Sequence, residues 1–403
     1  MRIFWISDSA NTPTGFGTVT REVLSRLSTQ GFECLHLGLQ HRGQPLLYYG
    51  MTMLPTDGSP IARNITPMYL EQLKPDILVT LHDPWMVGHI LRMKTCPWVG
   101  YTTVDGDPLH LGFKPILSKM DVAVAMSKFG QKAMFDLGIE KPQMIYHGVN
   151  TNVYYPFSKR EKDNAKREIA EKIKQASGHD ISGKFIVGCV GRNTERKRFD
   201  RLMRAFSMFA LDKDDVFLLI HSDPADPYPT AQGLEELRFR FRIQDKCCFS
   251  PLQTNFLFGC SVAELVKLYN IFDVHALSTG GEGFGLPIAE TMSCGVPNTV
   301  TGYSAPKELV KGHGWLVDID TYYYYSKYNI RRALCDINHL AECLEEAYQD
   351  RKKLKMYGRK SRDWVVKNLD WDKAIIPKWV ELLNNVYEQL KPTDTLYVPP
   401  EDR

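Results

Sequence analysis

Residues 278–297 read Ser-Thr-Gly-Gly-Glu-Gly-Phe-Gly-Leu-Pro-Ile-Ala-Glu-Thr-Met-Ser-Cys-Gly-Val-Pro, which sets two carboxylates, Glu282 and Glu290, around a Gly-Phe-Gly turn. Pro287 suits the first position of a helix, where its missing N–H would have had no partner. Glu282 then lies in the loop before the helix, and Glu290 in its first turns. After Gly283, the N–H groups of Phe284, Gly285 and Leu286 form a site ready for an anion. Carboxylates around a phosphate cradle suit a ligand that is part phosphate and part polyol, such as a sugar nucleotide. A structural reading stands beside this one, because the helix macrodipole also favours an acid such as Glu290 near the N-terminus.

A second group of residues fits the same ligand. The apolar run Phe185–Val190 leads into Gly191-Arg-Asn-Thr-Glu-Arg-Lys197. Arg192 and Lys197 then sit at the carboxyl end of a strand, where doubly wound sheets bind ligands. Two cations there would neutralise a diphosphate leaving group as its charge develops. Arg offers a planar fork and Lys a movable point charge. Arg196, Arg198, Arg201 and Arg204 read as a solvated helix face. Near the start of the chain, Gly15 and Gly17 permit a tight turn and close backbone approach to a ligand at a helix start. This is not a G-x-G-x-x-G fingerprint, since Thr20 takes the third position. No metal is implied, because Arg192, Lys197 and helix N-termini can carry the charge. Asp105-Gly106-Asp107 has Asp-x-Asp spacing but not a convincing strand-end placement.

The Glu282/Glu290 stretch resembles the signature of retaining glycosyltransferases of family four, which have two facing Rossmann-like domains (the GT-B architecture). The resemblance implies that Glu282 lies by the transferred sugar and Glu290 holds the ribose diol. The segment from Gly191 to Lys197 is similar to the family's Gly-Arg-x4-Lys segment, whose Arg and Lys grip the donor diphosphate. A Gly loop equivalent to Gly15 and Gly17 closes on that diphosphate from across the cleft. Two departures stand out. Arg198 follows Lys197 where a small residue is common. The family's sugar-contacting His is absent from Tyr101-Thr-Thr-Val-Asp-Gly-Asp-Pro108, so Asp105 or His82 is expected to take its role. Ser127-Lys128-Phe129 and His147-Gly148-Val149-Asn150 are further landmarks, read as structural, with Ser127 capping a helix.

The positioning elements alternate short apolar runs with helical patterns, which argues for α/β with parallel sheets. Expected strands are Arg2–Ser7, Glu33–Gly38, Ile77–Leu81, Trp98–Thr102, Val122–Met126 and Met144–His147, with a helix from Gly17 towards Gln30 ended by Gly31. Residues 158–182, highly charged, read as a solvated linker helix between domains at 1–157 and 183–370. In the second domain the expected elements are strands Phe185–Val190, Val216–Ile220, Val274–Leu277 and Asn298–Thr301, and helices Phe199–Phe209 and Val262–Asn270. Residues 371–403 carry Trp371, Ile375, Ile376, Trp379, Leu382, Leu383 and Val386 at helical spacing. The resemblance has this helix cross back to the first domain. The run Tyr322–Tyr325 with Tyr328 stands where the family has a shorter loop; it packs on its own domain or stacks on an acceptor sugar.

A length of 403 residues suits two domains, and 43% hydrophobic with 24% charged residues is the balance of a soluble globular protein. A net charge of +3 argues against a nucleic-acid binder. Nine cysteines show no metal spacing, and Met1-Arg-Ile-Phe4 carries no signal-peptide pattern, so free thiols in the cytoplasm are expected. No apolar run reaches the roughly 18 residues of a membrane span. A peripheral membrane contact stays open, but nothing asks for one.

The expectation is a metal-independent, cofactor-free retaining glycosyltransferase that moves a sugar from a donor such as a UDP- or GDP-sugar to a hydroxyl acceptor. A sugar-nucleotide epimerase and a catalytically idle sugar-nucleotide binder are the alternatives. Base, sugar, acceptor, oligomeric state and the route to retention (front-face or double displacement) are left open. Base selection is expected to use backbone around Ser250–Leu252.

Overall fold

The computed structural model describes residues 1–255, 258–325 and 328–390. The first domain carries strands β1 Arg2–Ser7, β2 Glu33–Gly38, β3 Leu46–Tyr48, β4 Met51–Leu54, β5 Ile77–His82, β6 Trp98–Thr102, β7 Val122–Ala125 and β8 Gln143–Met144. They form one sheet in the order β3-β4-β2-β1-β5-β6-β7-β8, parallel except for β3 against β4. The second domain has β9 Phe185–Val190, β10 Val216–His221, β11 Cys247–Phe249, β12 Val274–Leu277, β13 Asn298–Thr301 and β14 Trp315–Val317. These form a parallel sheet in the order β11-β10-β9-β12-β13-β14. The central strands are almost continuously apolar and buried, as strands covered on both faces by helices must be.

Several elements differ from expectation. The strand expected at Met144–His147 ends at Met144, and the first helix starts two residues early, at Gly15. Thr14 caps it by accepting from Gly17 N–H at 3.0 Å. The helix over Lys159–Ser177 is no solvated linker. Ala165, Ile169 and Ile173 recur every fourth residue and are buried, and the helix packs on the helix Val262–Ile271. Salt bridges Lys172–Glu264 and Lys267–Glu168 seal its edges. It is an outer layer of the second domain.

The tyrosine run is not a loop. Ile319–Tyr325 (β15) pairs antiparallel with Ile330–Cys335 (β16) as a hairpin; residues 326–327 lie outside the described residues. Neither sheet includes it. It bridges the domains: Tyr328 and Ile330 pack on the first domain's core, while Ala333 N–H donates to Gly280 O of the second at 3.0 Å.

The chain passes between the domains twice, and the two passages pair. Val149 N–H donates to Leu369 O at 2.7 Å, Trp371 N–H donates back to Val149 O, and Thr151 hydrogen-bonds Asp370. The last helix, Ile376–Leu390, then lies on the first domain, with Ile376, Trp379, Leu383 and Val386 buried; residues 391–403 of the expected terminal segment lie outside the described residues. Trp379 is fully buried, its ring 5.4 Å from Trp5 and 5.0 Å from Tyr101. Trp379→Ala should therefore destabilise the protein by about 3–5 kcal/mol, the usual range for truncating a large core aromatic. Denaturant titration followed by first-domain fluorescence checks this; a midpoint equal to wild type means that the helix does not complete that core.

Candidate active site

The carboxyl ends of β1, β6, β9 and β12 all open on a cavity of about 850 Å³ between the domains. This is the position at which doubly wound sheets bind ligands. Asp105, Arg192, Lys197, Glu282, Glu290, Gly15 and the 283–286 turn all line it. The segment 253–255, just after Ser250–Leu252, lines one end. A second cavity of about 930 Å³ opens beyond Glu290, between the first helix and residues 148–157, and shares Arg21, Tyr154 and Glu290 with the first.

Glu282 is the electrostatic centre. Its Oε1 accepts from Lys197 Nζ at 2.7 Å and from Thr279 Oγ1 at 2.8 Å, and its Oε2 lies 2.6 Å from Arg196 Nη1. Burial alone would raise its pKa, but Arg196 and Lys197 overturn this and bring it down to about 2. Burial lowers the pKa of Lys197, with Glu282 opposing. Gly285, the residue before the helix Leu286–Ser293, has φ +102°, a left-handed conformation that favours glycine. Pro287 is the second helical residue rather than the first. The helix begins at the cavity wall, so its first N–H groups, without partners inside the helix, point back towards the cavity.

Glu290 lives in a different environment. Tyr269 Oη donates to its Oε2 at 2.7 Å, and burial, more than the Tyr269 and Tyr154 hydroxyls can offset, pushes its pKa up to about 7.

Arg196 is the residue that sequence reasoning misplaced. It is no solvated helix face, because the 3-10 turn Glu195–Lys197 swings it into the cavity beside Lys197. There it bridges Glu282 and Asp105, the latter at 3.6 Å. The signal was a surplus: four cations between 192 and 198, more than a diphosphate needs. Arg198 and Arg201 are also engaged, Arg198 with Asp200 at 2.5 Å and Arg201 with Asp320 at 3.1 Å.

Other assignments need correction. Arg192 lines the cavity but its guanidinium forks onto Asp226 at 2.9 and 3.2 Å and lies over the Tyr228 ring. His82 does not line the cavity: it lies 3.6 Å from Asp8, edge-on to Phe16, so it is packed behind the first-helix loop. Gly17 does not line it either. A side chain there would meet Ser9 O at 2.6 Å, so this glycine serves local packing. Gly15 faces the cleft, with Leu286 opposite. Ser127 is a buried cap that accepts from Gly130 N–H at 3.0 Å. His147 lines the cavity, bonded to Tyr101 Oη at 2.7 Å, and burial brings its pKa down to about 3. Asp83 and Arg332, both unassigned from sequence, stand beside Asp105.

Residues 170–364 match the family model described as glycosyl transferases group 1. Over this segment, a little under half of the chain, the protein is similar to the group 1 glycosyl transferases. Among curated relatives, an uncharacterised glycosyltransferase of Sulfolobus islandicus rod-shaped virus 1 is 24% identical over 49% of this chain and 52% of its own length. The lipopolysaccharide core biosynthesis mannosyltransferase LpsB of Rhizobium meliloti is 27% identical over 50% of this chain and 52% of its own. The chain thus spans about half the length of the curated relatives it matches. The fold extends further: the solved structure of Anabaena HepE in complex with UDP-glucose superposes with a TM-score of 0.74 at 16% identity, covering 96% of this chain and 100% of that one. The architecture is therefore GT-B, with the segment that matches the family model lying in its second domain. Among the described residues, no helix is long and apolar enough to cross a membrane.

The state of Glu290 gives a pH dependence. The resemblance assigns Glu290 to a ribose diol, which donates two hydrogen bonds best to an ionised carboxylate, and here that form prevails only above about 7. Nucleoside diphosphate affinity should rise about tenfold between pH 6 and 8, with Glu290→Gln flattening this part of the profile. Calorimetric titration across that range is the check. Stability should run the other way. Glu290 binds its proton more tightly in the folded chain, so its contribution is full below the unfolded value near 4.5 and is lost as pH rises through about 7.

Proposed function

We propose that the protein is a retaining glycosyltransferase that moves a sugar from a nucleoside diphosphate sugar to a hydroxyl acceptor. The observation that carries this reading is the set Lys197, Arg196, Glu282 and the 283–286 turn on one cavity, with Glu290 further along it. The match to the group 1 glycosyl transferases supports it. So does the likeness to HepE, whose structure holds UDP-glucose. Glu290 takes the ribose. Lys197 and the helix N-terminus take the diphosphate and stabilise the charge that develops on it. Arg192 joins them if its guanidinium leaves Asp226. With these cations in place the reaction needs no metal.

Glu282 and Asp105 flank the transferred sugar and accept from its hydroxyls. Both oxygens of Glu282 are already occupied, one by Lys197 and Thr279, the other by Arg196. A carboxylate so held is a poor nucleophile and a good fixed negative charge beside an oxocarbenium-like transition state. Retention then follows a front-face route, in which the departing phosphate oxygen takes the acceptor proton. Epimerisation has less support, since it needs acid and base groups beside the sugar and His82 is outside the cavity. The protein is expected to work in the cytoplasm, on an acceptor seated against the first domain.

Glu282→Gln and Lys197→Ala should each cut sugar transfer by about two or more orders of magnitude, the scale of losing one preorganised charge. Release of UDP or GDP from a panel of nucleotide sugars measures this. Near-normal turnover in both folded variants would sink the assignment, and isomerisation of the sugar without nucleotide release would point to an epimerase.

A further inference from the structure

The β15–β16 hairpin lies behind Asp105, which lines the cavity. Arg332 on β16 is 6% exposed and its Nη2 lies 2.7 Å from Asp105 Oδ2 on the opposite domain. Its guanidinium stacks 4.0 Å above the Tyr325 ring, and its buried Nε has no hydrogen-bond partner. The hairpin is pressed into place: a side chain on Gly106 would meet Arg331 O at 2.4 Å. Next to Arg332, Arg331 reaches Asp107 at 3.3 Å, and Tyr303 Oη binds the same carboxylate.

These contacts make a continuous chain of charge, Arg332–Asp105–Arg196–Glu282–Lys197. Asp83 adjoins it, its pKa raised to about 6 by burial. Arg196 is therefore shared between two carboxylates. Its contact with Glu282 is short and its contact with Asp105 is long, at 2.6 against 3.6 Å. When a donor diphosphate draws Lys197 away, Glu282 keeps the Arg196 guanidinium and the Thr279 hydroxyl, so its charge is balanced through Arg196. Asp105 must then be held by something else, and Arg332 is the cation in contact with it. Arg332 does not line the cavity, so it acts through Asp105.

We propose that Arg332 is a positioning residue for sugar transfer: it fixes Asp105 against the transferred sugar and frees Arg196 to hold Glu282. This rests on the glycosyltransferase reading above. The hairpin is then part of the active site, and its effect falls on the sugar step, with the nucleotide site, built around Glu290 and Lys197, left alone.

The test uses the full chain, UDP-glucose and GDP-mannose as donors, and UDP and GDP as ligands. Arg332→Gln should lower kcat for nucleotide release about tenfold or more, with UDP or GDP affinity held within about twofold. Arg332→Lys should recover part of the rate. Because Arg332 acts through Asp105, the double variant Asp105→Asn with Arg332→Gln should be no slower than Asp105→Asn alone. That pair also guards against a misfolded single variant, since removing both charges costs less than stranding one. A wild-type kcat in Arg332→Gln overturns the proposal. So does an affinity loss that matches the rate loss, or additive effects in the double variant. Wild-type protein that binds neither nucleotide and releases neither from its sugar removes the transferase reading itself, a separate failure.

Discussion

A buried chain of alternating charge is the constraint around which the cleft is built. Each of Lys197, Glu282 and Arg332 is more than nine-tenths buried; they come from the β9 loop, the β12 loop and the hairpin, and Asp105, the partner of Arg332, comes from the loop after β6. Taking an ion out of water costs several kcal/mol, which only close pairing can offset. The partners must therefore meet at contact distance, and this dictates the backbone around them. A side chain on Gly281 would lie 1.9 Å from Asp105 O, and one on Gly283 would lie 2.6 Å from Thr103. Gly281 and Gly283 thus serve the close approach of the two domains.

The two glutamates divide the cavity into unlike halves. Glu282 sits among cations at about 2, and Glu290 among tyrosine hydroxyls and apolar walls at about 7. Residue type is the same, and environment alone separates their protonation by several units. The ionic half suits the step in which charge develops. The Glu290 half changes its charge near neutral pH, and on the reading proposed above it takes a diol best once the carboxylate is ionised.

Much of this was legible in the sequence, and the rest has physical reasons for being hidden. Glu282, Glu290, Lys197 and the 283–286 turn declared themselves because glycine, proline and charge at fixed offsets have few uses other than a strand-to-helix ligand loop. The central strands were legible through their long apolar runs. Arg196 was not, because its role comes from a tertiary meeting with Glu282, 86 positions along the chain. The charged helix Lys159–Ser177 misled because only Ala165, Ile169 and Ile173 face inward. One apolar residue per turn is a thin stripe, yet enough beside salt bridges at its edges. The hairpin was missed for another reason: Tyr-rich runs of mixed exposure carry no clean alternation, and the turn that joins β15 to β16 lacks a glycine.

The hairpin also changes what motion the cleft can make. Two joints already link the domains: the paired passages at Val149 and Asp370, and the terminal helix on Trp5 and Tyr101. Both lie where the chain crosses, so either permits a hinge. The hairpin is a third tie, on the far side of the sugar site. Its tip holds the first domain through Tyr328 among Trp85, His110 and Phe113, and its base holds the second through Gly280 and Arg201. Opening by simple rotation would have to part Arg332 from Asp105 or lift Ala333 from Gly280. It would also part Glu308 from the amides of Lys128 and Phe129 that it accepts from across the cleft. Parting Arg332 from Asp105 strands two charges, and the other breaks strand backbone groups and the Glu308 carboxylate, so each carries its own cost. On the reading proposed above, a donor that supplies its own charge to Lys197 would loosen one end of this chain, and donor binding and domain motion would be coupled in that way.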